Sequence, residues 1–113
     1  MPKGLLVAFS TPLGGEEDAY NAWYGQHVQE ALAVPGILTA QRYRLASPQH
    51  PHAAPADNRY LALYDLEGDF PTILAEASRR RREGEWVPRQ GIDLSTIKEW
   101  VFEPVSHTGE SLD

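Results

Sequence analysis

Cysteine is absent from the 113 residues. That excludes disulfides, thiolate catalysis and cysteine-ligated zinc or iron–sulfur centres, and it suits a reducing compartment without requiring one. An excess of basic residues is missing too. The formal net charge is −6, the opposite of what a phosphate-neutralising or anionic-lipid surface needs, so neither nucleic acid nor a membrane is an expected partner. No apolar run approaches membrane-spanning length. Leu5 to Phe9 is too short for the core of an export signal and lacks a small-residue cleavage site after it, so the expectation is a cytoplasmic protein. His50 and His52 sit in a loop with no carboxylate ligand nearby, and no metal is predicted.

What is present is an ordinary globular composition, 42% hydrophobic and 23% charged, in a length that predicts one domain over residues 1–113 with a polar, frayed tail from about residue 106. Gly4 to Ser10 reads as a buried strand ended by Gly14-Gly15. A helix follows from the acidic Glu16-Glu17-Asp18 to about Val34, where Pro35-Gly36 stops it. Ile37 to Leu45 and Arg59 to Leu66 read as strands, separated by a proline-rich loop. Asp69 is suited to cap a second helix, with Pro71 in its first turn and Phe70, Ile73, Leu74 and Ala77 as its inward stripe. Arg79 to Arg82 complement the helix C-terminus, and Gly84 can take the left-handed position after it. Thr96 to Val105 is the last predicted strand.

The order βαββαβ predicts an α+β fold of the ferredoxin-like type, a four-stranded antiparallel sheet with two helices on one face. The strands are apolar on both sides. Leu5, Val7 and Phe9 oppose Leu6 and Ala8; Tyr60, Ala62, Tyr64 and Leu66 oppose Leu61 and Leu63; Ile97 and Val101 oppose Trp100 and Phe102. Such a sheet needs a layer on each face, and the chain has no spare element. A second copy supplies it, so a homodimer is expected.

Chemistry concentrates in the first helix. Tyr20, Tyr24, His27 and Ala31 fall on one stripe, with Trp23 and Val28 at its edges. His27 is thus the candidate acid/base, because imidazole both takes and gives a proton near neutrality. Tyr20, Trp23 and Tyr24 would hold a planar ligand by stacking and hydrogen bonding, with Arg42 or Tyr64 orienting a polar substituent. A packed face in which His27 only hydrogen-bonds a neighbour explains the same residues. Pro2 as an amino-terminal base and the arginine run as a nucleic-acid site are weaker alternatives.

Residues 20–45, YNAWYGQHVQEALAVPGILTAQRYRL, resemble the EthD-like family of dimeric α+β barrels through Asn21, Trp23, Tyr24, His27, Glu30, Leu32, Pro35, Gly36, Arg42 and Tyr43. Arg59 to Tyr64 resembles that family's third strand. Two positions depart from its pattern: Gln29 replaces a proline and Gly25 an acidic residue. The resemblance implies cofactor-free processing of aromatic or polyketide-like small molecules by cyclisation, isomerisation or oxygenation, in a pocket between the first helix and the sheet. A non-catalytic binder of haem or an aromatic metabolite, with His27 as axial ligand, is a second reading. An accessory subunit without a pocket is a third.

Overall fold

The computed structural model describes residues 2–109. Four strands, β1 (Lys3–Ser10), β2 (Ile37–Arg44), β3 (Tyr60–Glu67) and β4 (Lys98–Phe102), form one antiparallel sheet in the order β2-β3-β1-β4. Helices α1 (Glu17–Leu32) and α2 (Phe70–Arg82) connect them as a ferredoxin-like α+β fold. Gln29 leaves α1 unbroken past His27. Its C-terminal turn is closed by Gly36, whose φ of 97° disfavours any side chain; a Cβ there would also stand 2.6 Å from Ile73 Cδ1 of α2. The Asp69 carboxylate caps α2 by accepting from the Thr72 N–H at 3.1 Å.

The predicted last strand is corrected at both ends. Its start is taken by a 3₁₀ turn, Leu94–Thr96, which Asp93 caps by accepting from the Ser95 N–H, and pairing stops at Phe102, just before Pro104. Residues 103–109 form neither helix nor strand. The tail expected to fray from about residue 106 is exposed over residues 106–109, and the rest of it lies outside the described residues. Among the described residues no helix is long and apolar enough to cross a membrane.

Strand alternation sorts the two faces as the sequence pattern suggests. The helix-covered face buries Ala8, Tyr60, Ala62, Tyr64 and Leu66 against Tyr20, Trp23, Tyr24 and Ala31 of α1. Trp23, expected at the edge of the α1 stripe, is instead buried within it. On the opposite face, register aligns Val7 with Leu63 and Trp100, Phe9 with Leu61, and Leu5 with Phe102. Trp100 and Phe102 are 50% and 55% exposed there, and Phe9 meets Trp100 edge-on at 6.0 Å.

Candidate functional site

Helical spacing makes α1 one wall of the site. His27 lies one turn beyond Trp23, and the two rings stack at 4.7 Å with 14° between planes. Tyr24 and Trp86 stand edge-on to the imidazole at 5.4 and 5.3 Å. Trp86 comes from the segment after α2, which α1 holds by its backbone: Trp23 Nε1 donates to the Val87 carbonyl at 3.2 Å, and the Val87 N–H donates to Glu30 Oε2 at 2.8 Å. The other Glu30 oxygen is buried without a hydrogen bond, 3.9 Å from His27 Nδ1, which is likewise unpaired. That separation is too long for a hydrogen bond.

Between α1, the C-terminal half of α2 and the sheet lies a cavity of about 540 Å³, within the range of small-molecule sites. Leu6, Ala8, Ala31, Ile37, Leu74 and Val101 give it apolar walls. Tyr24, His27 and Tyr64 line its interior, while the exposed Arg82, Arg89, Glu99 and Trp100 mark its mouth. A separate recess of about 20 Å³, space for a water, lies beside His27, Arg81 and Arg89.

Enclosure sets the proton states. Burial, reinforced by the Arg81 and Arg89 cations, lowers the His27 pKa to about 4, so the imidazole is neutral at pH 7. Burial pushes Tyr24 up to about 12 and Tyr64 higher still; Tyr24 adds to the rise at Tyr64, whereas Tyr64 works against the rise at Tyr24. The Tyr64 hydroxyl therefore stays protonated, and it is buried with no hydrogen-bond partner. The unpartnered hydroxyl and the neutral imidazole line the same cavity.

Of the residues singled out in the sequence, Tyr24, His27 and Tyr64 meet at this cavity, whereas Tyr20, Trp23 and Arg42 are not among those that line it. Tyr20 is wholly buried, its hydroxyl 2.6 Å from Ser10 Oγ. Trp23 backs the imidazole and reaches only the small recess. Arg42 donates to Asn21 Oδ1 at 2.8 Å and lies 4.4 Å over the Tyr24 ring. It belongs to a network on which Tyr60, Asn21, Glu17 and Arg59 also converge. His50 and His52 share an exposed loop, where the His52 N–H donates to His50 Nδ1 at 3.1 Å.

Sequence reasoning missed Trp86, Arg81, Arg89 and Glu99. A signal existed for Arg81, which continues the Leu74, Ala77 stripe one turn on. Arg79 and Arg80 both reach Glu76, whereas Arg81 has no acid three or four residues away within α2. Glu99, Trp86 and Arg89 meet the site only through tertiary packing. A second hollow of about 390 Å³, beneath residues 56–59 and lined by Phe9, Tyr43, Leu61 and Trp100, opens on the other side of the sheet, away from His27.

No protein-family model matches the chain, and no curated protein does. Solved structures share its architecture. A variant of MhuD with two manganese protoporphyrin IX molecules bound per active site superposes with a TM-score of 0.66 at 15% identity, over 95% of this chain and 99% of that one. SnoaB, a cofactor-independent oxygenase from Streptomyces nogalater, gives 0.57 at 12% identity, over 96% and 97%. An EthD family protein from Bacillus halodurans gives 0.56 at 12% identity, over 93% and 100%. At these identities the likeness speaks for architecture: the chain has the α+β fold shared by this EthD family protein, by SnoaB and by the MhuD variant.

Proposed function

We propose that this is an EthD-like, cofactor-independent enzyme that moves protons on a planar aromatic or polyketide-like substrate bound between α1, α2 and the sheet. The observation that carries the reading is the juxtaposition, on one apolar cavity, of a neutral imidazole and a protonated phenol without a partner. Nε2 of His27 removes a proton from carbon or oxygen, and the Glu30 carboxylate beside Nδ1 stabilises the imidazolium that forms. The Tyr64 hydroxyl donates to the oxygen on which negative charge develops. An enolate or phenolate held this way can cyclise, be reprotonated elsewhere, or react with dioxygen. The oxygenases that share the fold lend support to that last course.

The haem reading, with His27 as axial ligand, fits these residues less well. Three aromatic rings within 5.4 Å crowd the imidazole, whereas an axial ligand needs an open plane in front of its nitrogen. A homodimer formed through the open sheet face is part of the same proposal, since Trp100 and Phe102 are exposed there beside Phe9, Leu61 and Leu63.

The test begins with a thermal-shift panel of planar aromatic and polyketide-like compounds. Compounds that bind are then followed by NMR for exchange of carbon-bound hydrogen in deuterated buffer. Binding that survives His27→Gln while exchange disappears supports the reading. A panel in which no compound stabilises the protein refutes it.

A further inference from the structure

We propose that the substrate is an acid: an aromatic carboxylate whose anionic group is held at the cavity mouth by Arg81 and Arg89 while its rings lie inward towards Tyr24, Tyr64 and Trp86. This rests on the cavity being a small-molecule site, as proposed above, and adds the chemical class it selects.

Charge distribution is the first argument. The chain as a whole carries a net −6, yet the charged residues lining this cavity are Arg81, Arg82, Arg89 and Glu99, an excess of cations where the rest of the protein has an excess of anions. These arginines are also uncommitted. The carboxylates near the end of α2 are taken by others, Glu76 by Arg79 and Arg80, and Glu83 and Glu85 by Arg79. Among the described residues, no carboxylate lies within ion-pair distance of Arg81 or Arg89. The two guanidinium groups are close enough to repel, and Glu99 and Glu30, whose charges partly offset this at Arg81, stand beyond ion-pair distance, so an anion seated on the arginines relieves the remainder.

Geometry is the second argument. Arg81 is half-buried and lies 5.0 Å over the Trp86 ring, and Trp86 in turn meets His27 edge-on at 5.3 Å. A planar guanidinium held by stacking presents its N–H fork to a carboxylate with little further ordering. Arg89 is exposed at the mouth, where it can meet an incoming anion first. Behind the arginines the walls are apolar and aromatic. An inorganic anion would leave those walls without a partner, and a neutral arene would leave the arginines without one. An aromatic acid satisfies both.

Matched probes test this by titration calorimetry at pH 7 and low salt: 2-naphthoic acid, and the neutral 2-naphthamide of nearly the same shape. The acid is expected to bind about tenfold or more tightly than the amide, a preference that shrinks as salt rises. Arg81→Gln and Arg89→Gln should each cost the acid roughly tenfold in affinity and leave the amide unchanged. Arg79→Gln, which removes an arginine committed to Glu76, should leave both unchanged. Circular dichroism checks the fold of each variant, and the exposed Arg89 offers a substitution that the core does not feel. Equal affinity for acid and amide, or an acid affinity insensitive to both substitutions, overturns the proposal while leaving the pocket reading intact. If the naphthyl probes fail but uncharged members of the aromatic panel bind, the proposal falls alone. If nothing binds, both fall.

Discussion

Replacing His27 with glutamine should change how stability responds to acid more than stability itself. The folded protein holds the imidazole pKa at about 4 against an ordinary 6.5, mainly because the ring is buried. Between those values the unfolded chain takes up a proton that the folded one refuses, so stability is lost as pH falls through this window. The full shift corresponds to about 3 kcal/mol, and the part lost between pH 7 and pH 5 to about 2 kcal/mol. His27→Gln removes that contribution. At pH 7 the substitution itself should cost about 1 kcal/mol, the order of the lost stacking on Trp23, because Nδ1 has no hydrogen bond to lose and one side of the ring borders the cavity. The carboxylates held low by their partners, Glu17 by Tyr60, Asp69 by Thr72 and Glu76 by its arginines, titrate alike in both proteins and cancel. Urea midpoints at equal slope and fixed protomer concentration, at pH 7 and pH 5, measure the difference. Parallel losses in wild type and variant would refute the enclosed, neutral imidazole. A drop well above 1 kcal/mol at pH 7 would show that His27 is a structural partner rather than a poised base.

Tyr64→Phe deletes a buried hydroxyl that has no partner, so it should raise stability by up to about 1 kcal/mol while slowing turnover at least about tenfold; destabilisation would mean that the hydroxyl is satisfied in solution. Sedimentation at micromolar concentration should give about twice the chain mass, falling to one chain mass in Trp100→Asp, and a wild-type monomer would remove the sheet-face interface. Hemin added to the protein should give no Soret band that depends on His27, and a band lost in His27→Ala would replace the acid/base reading with haem binding.

The framework was legible because strand and helix periods are local properties. The alternation in Tyr60 to Leu66 assigns each of those residues to its face, and Asp69-Phe70-Pro71 carries both a cap and a first-turn proline. The site was legible only where it lies on α1 and β3. His27, Tyr24 and Tyr64 stand at positions that helical and strand spacing turn inward. Tyr20 occupies the same stripe, but Ser10 on β1 captures its hydroxyl and closes it off. That contact depends on sheet register. Trp86 is beyond such reasoning for a different reason: its position follows from two hydrogen bonds of the Val87 backbone to α1 side chains, and no periodicity runs through residues 83–93.

The way the cavity is assembled bears on how such a protein could diversify. Its floor draws on β1, β3, β4 and α1, which are far apart in sequence and bound together by the core, so a change there disturbs packing. Arg81, Trp86 and Arg89, by contrast, fall in one short contiguous stretch that closes the site from outside. Exchange of the exposed side chains of that stretch, with the Val87 backbone and Trp86 kept as its anchor on α1, would rewrite the charge and shape of the entrance while His27, Tyr64 and the sheet stay as they are. Gly91, whose backbone passes so close to α1 that an added Cβ would lie 2.6 Å from the Tyr20 nitrogen, sets the far boundary of any such graft. On the function proposed above, substrate preference and acid/base machinery would be separable units of inheritance in this chain, the first able to drift while the second is held by the core.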